Sequence, residues 1–323
     1  MRILTEADCA KLVDAVDAHV AVARGFVAVA RGEALIFPPL VGRGSDPNTR
    51  FGVKAAVDLA RQLPGLKIGS YWPGNRALGL PSHGSTTILL DDVTGQPFAL
   101  VAATYLNALR TAAADAVAVE QLARADADTV ALIGAGKQAW FDLAAIRRVR
   151  PIAAVRVFNR NTVGAEELAA RVRGSGLDAR VCSIEEAVRG AAIVITTTAA
   201  REPLVRAEWI SPGTHVSAMG ADGPGKQELD PALVAAAILF ADLPAQAAAI
   251  GECQHASSAG LIDPASITAI GDVLDGRAAS RTDPAAITLF DSSGIAIQDL
   301  AIAHVAVDRA EQQGVGLLVD LTG

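Results

Sequence analysis

The stretch Thr129 to Trp140, TVALIGAGKQAW, admits few folds. Val130, Ala131, Leu132 and Ile133 make a short apolar run of the kind that forms a strand buried on both faces. The run stops at Gly134, Gly136 follows after one residue, and Ala139 holds the third small position, giving G-x-G-x-x-A. In this pattern the first glycine permits a tight turn, and the second lets backbone approach a pyrophosphate at the positive end of the next helix. The third small residue lets helix and strand pack closely. Glycine-rich turns also arise by chance, so the context decides. Here a helix-compatible run (Ala139 to Arg148) follows the turn, and a second strand arrives at Val155 to Phe158. The reading is a dinucleotide-binding βαβ unit, with Gly134, Gly136, Lys137 and Gln138 at the phosphates.

After that unit, strands and helices keep alternating. Strands are expected at Ala179 to Cys182, Ile193 to Thr196, His215 to Met219 and Ile238 to Ala241, with Leu289 and Phe290 closing the sheet. Helices are expected at Thr162 to Arg173 and after Ser183, whose Glu186 completes a capping box. Such alternation over about 170 residues predicts an α/β domain with a Rossmann-type, doubly wound parallel sheet.

The residues before the fingerprint read differently. Thr5 and Asp8 open a helix whose apolar stripe is Leu12, Val16 and Val20, extended by Phe26 and Val27, with Gly32 and Phe37-Pro38-Pro39 ending it. Strands follow at Phe51 to Val57 and Leu66 to Tyr71, then a hairpin pairs Thr86 to Leu90 with Phe98 to Val101. A long alanine-rich helix, Thr104 to Ala123, leads into the fingerprint strand. At 323 residues the chain accommodates two domains. The expected division is an α+β domain from residues 1 to 115 with 301 to 323, and the Rossmann domain from 116 to 300.

Composition narrows the partners. A net charge of −7 argues against a nucleic-acid surface, which needs a basic face. No run of about 18 apolar residues suggests a membrane span. The start, MRILTEADCAKL, has no secretory pattern, and three scattered cysteines suit a reduced, cytoplasmic protein. No His, Asp or Glu set has convincing metal spacing.

The second strand of a Rossmann unit ends near the adenosine ribose, where an Asp or Glu suits NAD and an Arg suits the 2′-phosphate of NADP. This chain reads VFNRNT, with Asn159, Arg160 and Asn161 and no carboxylate before Glu166. Arg160 could fork onto a phosphate, which favours NADP over NAD, although a solvated surface Arg is the plain alternative.

Several long motifs then converge. LKIGSYWPGN with LGLPS (66 to 82), TYLNALRTAAA (104 to 114), IGAGKQA (133 to 139) and VITTTAAREPLV (194 to 205) are four of them. MGADGPGKQELDP (219 to 231) and TLFDSSGIAIQDLAIA (288 to 303) complete the set. In these the chain resembles the ornithine cyclodeaminase/μ-crystallin family over essentially its whole length. The resemblance implies a homodimer, a substrate and dimerisation domain built from both chain ends, and hydride transfer between nicotinamide and the Cα of a small amino or imino acid. SHGST (82 to 86), YWPGN and IGECQHA (250 to 256) are most similar to the iminosuccinate reductase branch, with alanine dehydrogenases next. An ornithine cyclodeaminase and a non-catalytic, crystallin-like binding protein are the alternatives.

The resemblance also implies roles. Lys67 and Arg110 match the carboxylate-binding positions, and Arg110 offers a planar fork suited to that group. Burial of Lys67 in an apolar strand would lower its pKa and fit it to give a proton; a solvated strand-edge Lys is the other reading. Asp222 falls on the family's catalytic Asp. His83 would add a hydrogen-bonding or positive group for a second substrate carboxylate, or else be a polar core residue. Arg43, Arg50 and Lys54 compete for the same duty, because the spacing after the Pro-rich turn departs from the usual pattern. Thr196, Thr197 and Thr198, with Met219, Gly220, Ser292 and Gly294, lie where the resemblance and the strand ends place the cofactor.

Overall fold

A computed structural model describes residues 1–321. The chain divides into two compact units, one of Met1–Arg110 with Ile295–Gly323 and one of Thr111–Gly294. Positions 322 and 323, part of the expected first domain, lie outside the described residues.

The first unit is built on an eight-stranded, mostly antiparallel sheet. Its strands are β1 (Arg2–Leu4), β2 (Ala34–Ile36), β3 (Leu40–Gly42), β4 (Arg50–Asp58), β5 (Leu63–Tyr71), β6 (His83–Leu90) and β7 (Pro97–Ala102). The eighth, Leu317–Leu318, pairs with β1. The long β4–β5–β6 ladder follows the strand runs read from the sequence, and the β6–β7 hairpin turns where DDVTGQ predicts.

Helices α1 (Glu6–Leu12) and α2 (Ala15–Ala30) replace the single helix expected at the start of the chain. Two capping boxes explain the break. Thr5 and Asp8 cap α1, and Asp14 with Asp17 cap α2 immediately after Val13 leaves helical geometry. The change of axis also overturns the expected stripe. Val16 and Val20 are exposed, while Ala18, Ala21, Val22, Gly25 and Phe26 face inward. The C-terminal helix Ala296–Gln313 packs along α2, and at Gly25 a side chain would meet Ile297. On the sheet, Leu300 of that helix lies over Gly65. Helix α3 (Thr104–Leu122) begins on a distant carboxylate, since the first amides, Thr104 and Tyr105, donate to the two oxygens of Glu6 at 2.6 and 2.8 Å. That anion satisfies unpaired donors and favours the positive helix end.

The second unit holds an eight-stranded parallel sheet. In chain order its strands are β8 (Thr129–Ile133), β9 (Ala154–Phe158), β10 (Asp178–Val181), β11 (Ile193–Thr196), then β12 (His215–Ala218), β13 (Ile238–Ala241), β14 (Thr268–Ala269) and β15 (Thr288–Asp291). Their spatial order is β10-β9-β8-β11-β12-β15-β13-β14. The chain winds outward from β8 in both directions, so the switch point lies between β8 and β11, where α/β sheets bind ligands. One expectation fails here. Leu289 and Phe290 lie in β15, which is inserted between β12 and β13 rather than closing the sheet. The edge is the two-residue β14, formed by a segment with no apolar run to announce it.

Candidate active site

Lys67 and Arg110 come together in the first unit, around one carboxylate. The Lys67 Nζ lies 2.7 Å from Asp299 Oδ2, and the Arg110 Nε donates to Asp299 Oδ1 at 2.9 Å. Asn107 joins them, its Oδ1 accepting from Lys67 Nζ at 3.0 Å and from Arg110 Nη2 at 2.8 Å. Arg110 Nη1 donates to Gln298 Oε1 at 3.0 Å. Two elements place these groups. Asn107 and Arg110 are three residues apart on one face of α3, and Gln298 and Asp299 lie in the first turns of the C-terminal helix.

Lys67, Arg110 and Asp299 are all buried. Burial lowers the Lys67 pKa to about 7, with Asp299 opposing the fall and the Arg110 and Lys54 charges adding to it. For Asp299, burial pushes upward, but Arg110 and then Lys67 outweigh it and hold the carboxylate low. The result is a charged Asp299 beside an amine whose proton is easily given up near neutral pH.

The register of the sheet settles where the other cations lie. Lys54 stands directly opposite Lys67, with Thr87 on its far side, so the three share a face. Arg50, Tyr71 and His83 form a second row on that face, four residues further along. The Tyr71 and His83 rings lie 4.6 Å apart. His83 is exposed and not a core residue. Arg43 is exposed just beyond β3, whose last register pair is Gly42 with Phe51, so it follows the strand toward the Arg50 end of the ladder.

The dinucleotide candidates lie in the second unit. Gly134 has φ +114°, and a Cβ there would come within 2.7 Å of Thr197 Oγ1 and 3.2 Å of its carbonyl, so only glycine fits. Gly136 is the N-cap of the helix α4 (Lys137–Ile146), with no side chain capping its amides and open space where a Cβ would stand. Free amides on an open side suit a pyrophosphate. Lys137 is exposed and lies over the Phe141 ring, and Gln138 donates to Asp142 at 2.6 Å. Asn161 caps the helix Thr162–Gly174, Asn159 donates to the Asn161 carbonyl, and Arg160 is exposed at the end of β9.

At the ends of β11 and β12 a buried carboxylate organises the loops. Glu228 accepts from Thr196 Oγ1 at 2.8 Å, from the Thr198 amide at 2.6 Å and from the Gly220 amide at 3.0 Å. Thr196 is therefore turned inward, and its hydroxyl is committed to Glu228. The Thr197 hydroxyl is buried with no partner among the described residues. Gly220 follows the buried Met219, and a Cβ on it would fall 2.3 Å from both Glu228 Oε2 and the Thr198 carbonyl. Replacing Gly220 with alanine is expected to destabilise the second unit by about 1–3 kcal/mol, because neither backbone nor a fixed carboxylate can yield. Thermal unfolding would check this, and an unchanged melting temperature would refute it. Asp242 plays a similar part at β15, accepting from Ser292 Oγ at 3.2 Å and from the Gly294 amide at 2.6 Å. Asp222 is half-exposed and ion-paired to Lys226.

Sequence reasoning missed Asn107, Gln298 and Asp299 in the first unit and Glu228 and Asp242 in the second. Signals existed for some. Asn107 precedes Arg110 by one helical turn, and Gln298-Asp299 is a polar pair inside an otherwise apolar helix start.

The chain matches the ornithine cyclodeaminase/mu-crystallin family over residues 1–314. The chain belongs to that family. Among its relatives is the iminosuccinate reductase of Paracoccus denitrificans, 37% identical over 99% of this chain and 100% of that protein. The alanine dehydrogenase of Archaeoglobus fulgidus is 38% identical over 97% of this chain and 96% of that protein. The crystal structure of the P. denitrificans enzyme in complex with NAD+ superposes with a TM-score of 0.94, covering 99% of each chain. An archaeal alanine dehydrogenase dimer with bound NAD gives the same TM-score at 36% identity and 99% coverage of each. Whole-length relatives in the ornithine cyclodeaminase/mu-crystallin family thus include an imine reductase and an amino-acid dehydrogenase. No described helix is long and apolar enough to cross a membrane.

Proposed function

We propose that this family member is an NAD(P)H-dependent reductase of a small α-imino acid, and that iminosuccinate, reduced to L-aspartate, is its favoured substrate. The observation that carries the reading is the buried Lys67–Arg110–Asp299–Asn107 cluster, a preformed site for an α-carboxylate beside an amine that titrates near neutrality. The similarity to an iminosuccinate reductase and an alanine dehydrogenase supports the substrate class.

In this mechanism Arg110 and Lys67 hold the substrate carboxylate, which orients the imine carbon. Bound reduced nicotinamide supplies the hydride to that carbon. Protonated Lys67 gives a proton to the imine nitrogen, so hydride plus proton convert C=N to CH–NH. Asp222 would steady the positive nitrogen. Gly134, Gly136 and the uncapped start of α4 would hold the pyrophosphate, and Thr197 would meet the ribose or nicotinamide. Arg160 favours NADP over NAD, and the NAD bound in two similar structures supports use of NAD as well. A KM for NADH below that for NADPH would overturn the NADP preference.

The deciding experiment measures NADPH and NADH oxidation with α-keto acids and ammonia. Fast turnover of oxaloacetate giving aspartate is expected, with pyruvate slower. Ammonia release from ornithine without net nicotinamide reduction would instead make the protein a cyclodeaminase. Because the protonated amine is the active form, kcat/KM for reduction should be level below pH 7 and fall tenfold per unit above the Lys67 pKa of about 7. A rate still level through pH 9 would remove Lys67 as the donor.

We also infer a homodimer. The sheet face opposite Lys67 carries Leu40, Val53 and Ile68 in register, and Leu40 and Ile68 are exposed. Sedimentation at micromolar concentration should give twice the chain mass.

A further inference from the structure

Between the row of Lys54, Lys67 and Thr87 and the row of Arg50, Tyr71 and His83 lies a third, made of Gly52, Gly69 and Ser85. All three rows share one face of the sheet, because residues two apart along a strand point the same way. The middle row is almost without side chains. A Cβ on Gly69 would meet no atom within 4 Å, and one on Gly52 would meet only the Leu40 carbonyl at 3.4 Å. Neither glycine is held at positive φ, so the turn geometry that usually calls for glycine does not apply. A glycine inside a strand, with open space above it, marks a place where something else approaches the backbone.

The groups around this gap point to what approaches. On one side Lys67 and Arg110 share a single carboxylate, so their cluster carries a net positive charge while Lys67 is protonated. The hydroxyls of Thr87 and Ser85 are buried and have no partner among the described residues. On the other side Arg50 is half-buried, and its guanidinium makes no hydrogen bond or ion pair among the described residues. A half-buried, unpaired guanidinium is costly unless an anion completes it. The two end rows are four residues apart, ~13 Å along the strands. Two long basic side chains rooted that far apart suit a short chain with an anion at each end.

We propose that the Gly52–Gly69 gap is the berth for the substrate side chain, and that Arg50 binds a second carboxylate at its far end. The site is thereby selective for α-imino dicarboxylates over short monocarboxylates. Arg50 takes this duty, rather than Arg43, because it lies within β4 on the sheet face of Lys67 and is half-buried, whereas Arg43 lies beyond β3 and is exposed. Lys54, in the Lys67 row, serves the near carboxylate. The inference rests on the reductase reading and specifies which residues set its substrate.

The test compares the wild type with Arg50→Gln and Gly69→Ala. Gly69→Ala adds a methyl where the free protein has no atom to displace, so it should fold as the wild type does. Each protein is assayed with oxaloacetate plus ammonia and with pyruvate plus ammonia. L-Aspartate and L-alanine are also titrated against the melting temperature with the dinucleotide present. The oxaloacetate-to-pyruvate ratio of kcat/KM should fall about 100-fold in Arg50→Gln and about 10-fold in Gly69→Ala. A ratio unchanged in Arg50→Gln would overturn the distal carboxylate site. If the wild type reduces neither imine, the reductase reading fails and the titration alone decides. Aspartate protection lost in Arg50→Gln would then uphold the subsite, and no protection of the wild type would overturn it.

Discussion

Arg110→Ala is expected to lower kcat/KM for imine reduction by about 10³-fold, on the order of 4 kcal/mol, while dinucleotide affinity stays within about twofold. The size follows from the setting. Arg110 is buried, and its guanidinium is already fixed by Asp299, Gln298 and Asn107, so its orientation toward a substrate carboxylate requires little further ordering. Alanine removes this planar, already oriented donor. Asp299 keeps Lys67 as a partner, so the fold should survive. Arg110→Lys should recover little, because a compact ammonium cannot span Asp299, Gln298 and Asn107 as the planar guanidinium does. Steady-state kinetics and a fluorescence titration with the dinucleotide check both halves. Near-normal turnover in Arg110→Ala would remove this residue from the site.

The second large effect falls on Asp299, which touches no substrate in the mechanism. Asp299→Ala leaves two buried cations without their anion and is expected to cost about 3–5 kcal/mol of stability. Asp299→Asn keeps the shape and separates stability from chemistry. Asp299 is what raises the Lys67 pKa against burial, so its neutral replacement should let that pKa fall below about 7. The loss of reductase rate on raising pH should then begin at lower pH than in the wild type. A rate profile in Asp299→Asn that overlays the wild type would show that Asp299 does not set the Lys67 proton.

The legible parts of this fold were those written in neighbouring residues. The turn at Gly134, the capping boxes of Thr5 with Asp8 and Ser183 with Glu186, and the hairpin at DDVTGQ all depend on contacts within a few positions. The break at Val13 was missed because Leu12, Val16 and Val20 keep a helical spacing across it, although the competing cap at Asp14 lay in plain view. The place of β15 inside the sheet could not be read locally, since strand order is decided by which edge a later strand finds free. The same limit governed the site. Lys67 and Arg110 stood out, but the carboxylate that joins them lies 189 residues beyond Arg110. Placing Lys54 and Arg50 on the face of Lys67 likewise needed the β4–β5 register, because a slip of one residue reverses the face of each side chain.

The place of Asp299 in the chain has a consequence for biosynthesis. Residues 111–294 are continuous and leave the ribosome before the C-terminal helix exists, so the second unit can fold while synthesis continues. The earlier half cannot finish. Until Ala296–Gln313 emerges, Lys67 and Arg110 have no counter-ion and must stay hydrated, and the groove over Gly65 has no Leu300 to fill it. The nascent protein therefore carries an open, positively charged sheet until its last helix arrives. On the proposed reading, a chain stopped before that helix would keep the Gly134 turn and the open start of α4, yet it would lack the anion that joins Lys67 and Arg110.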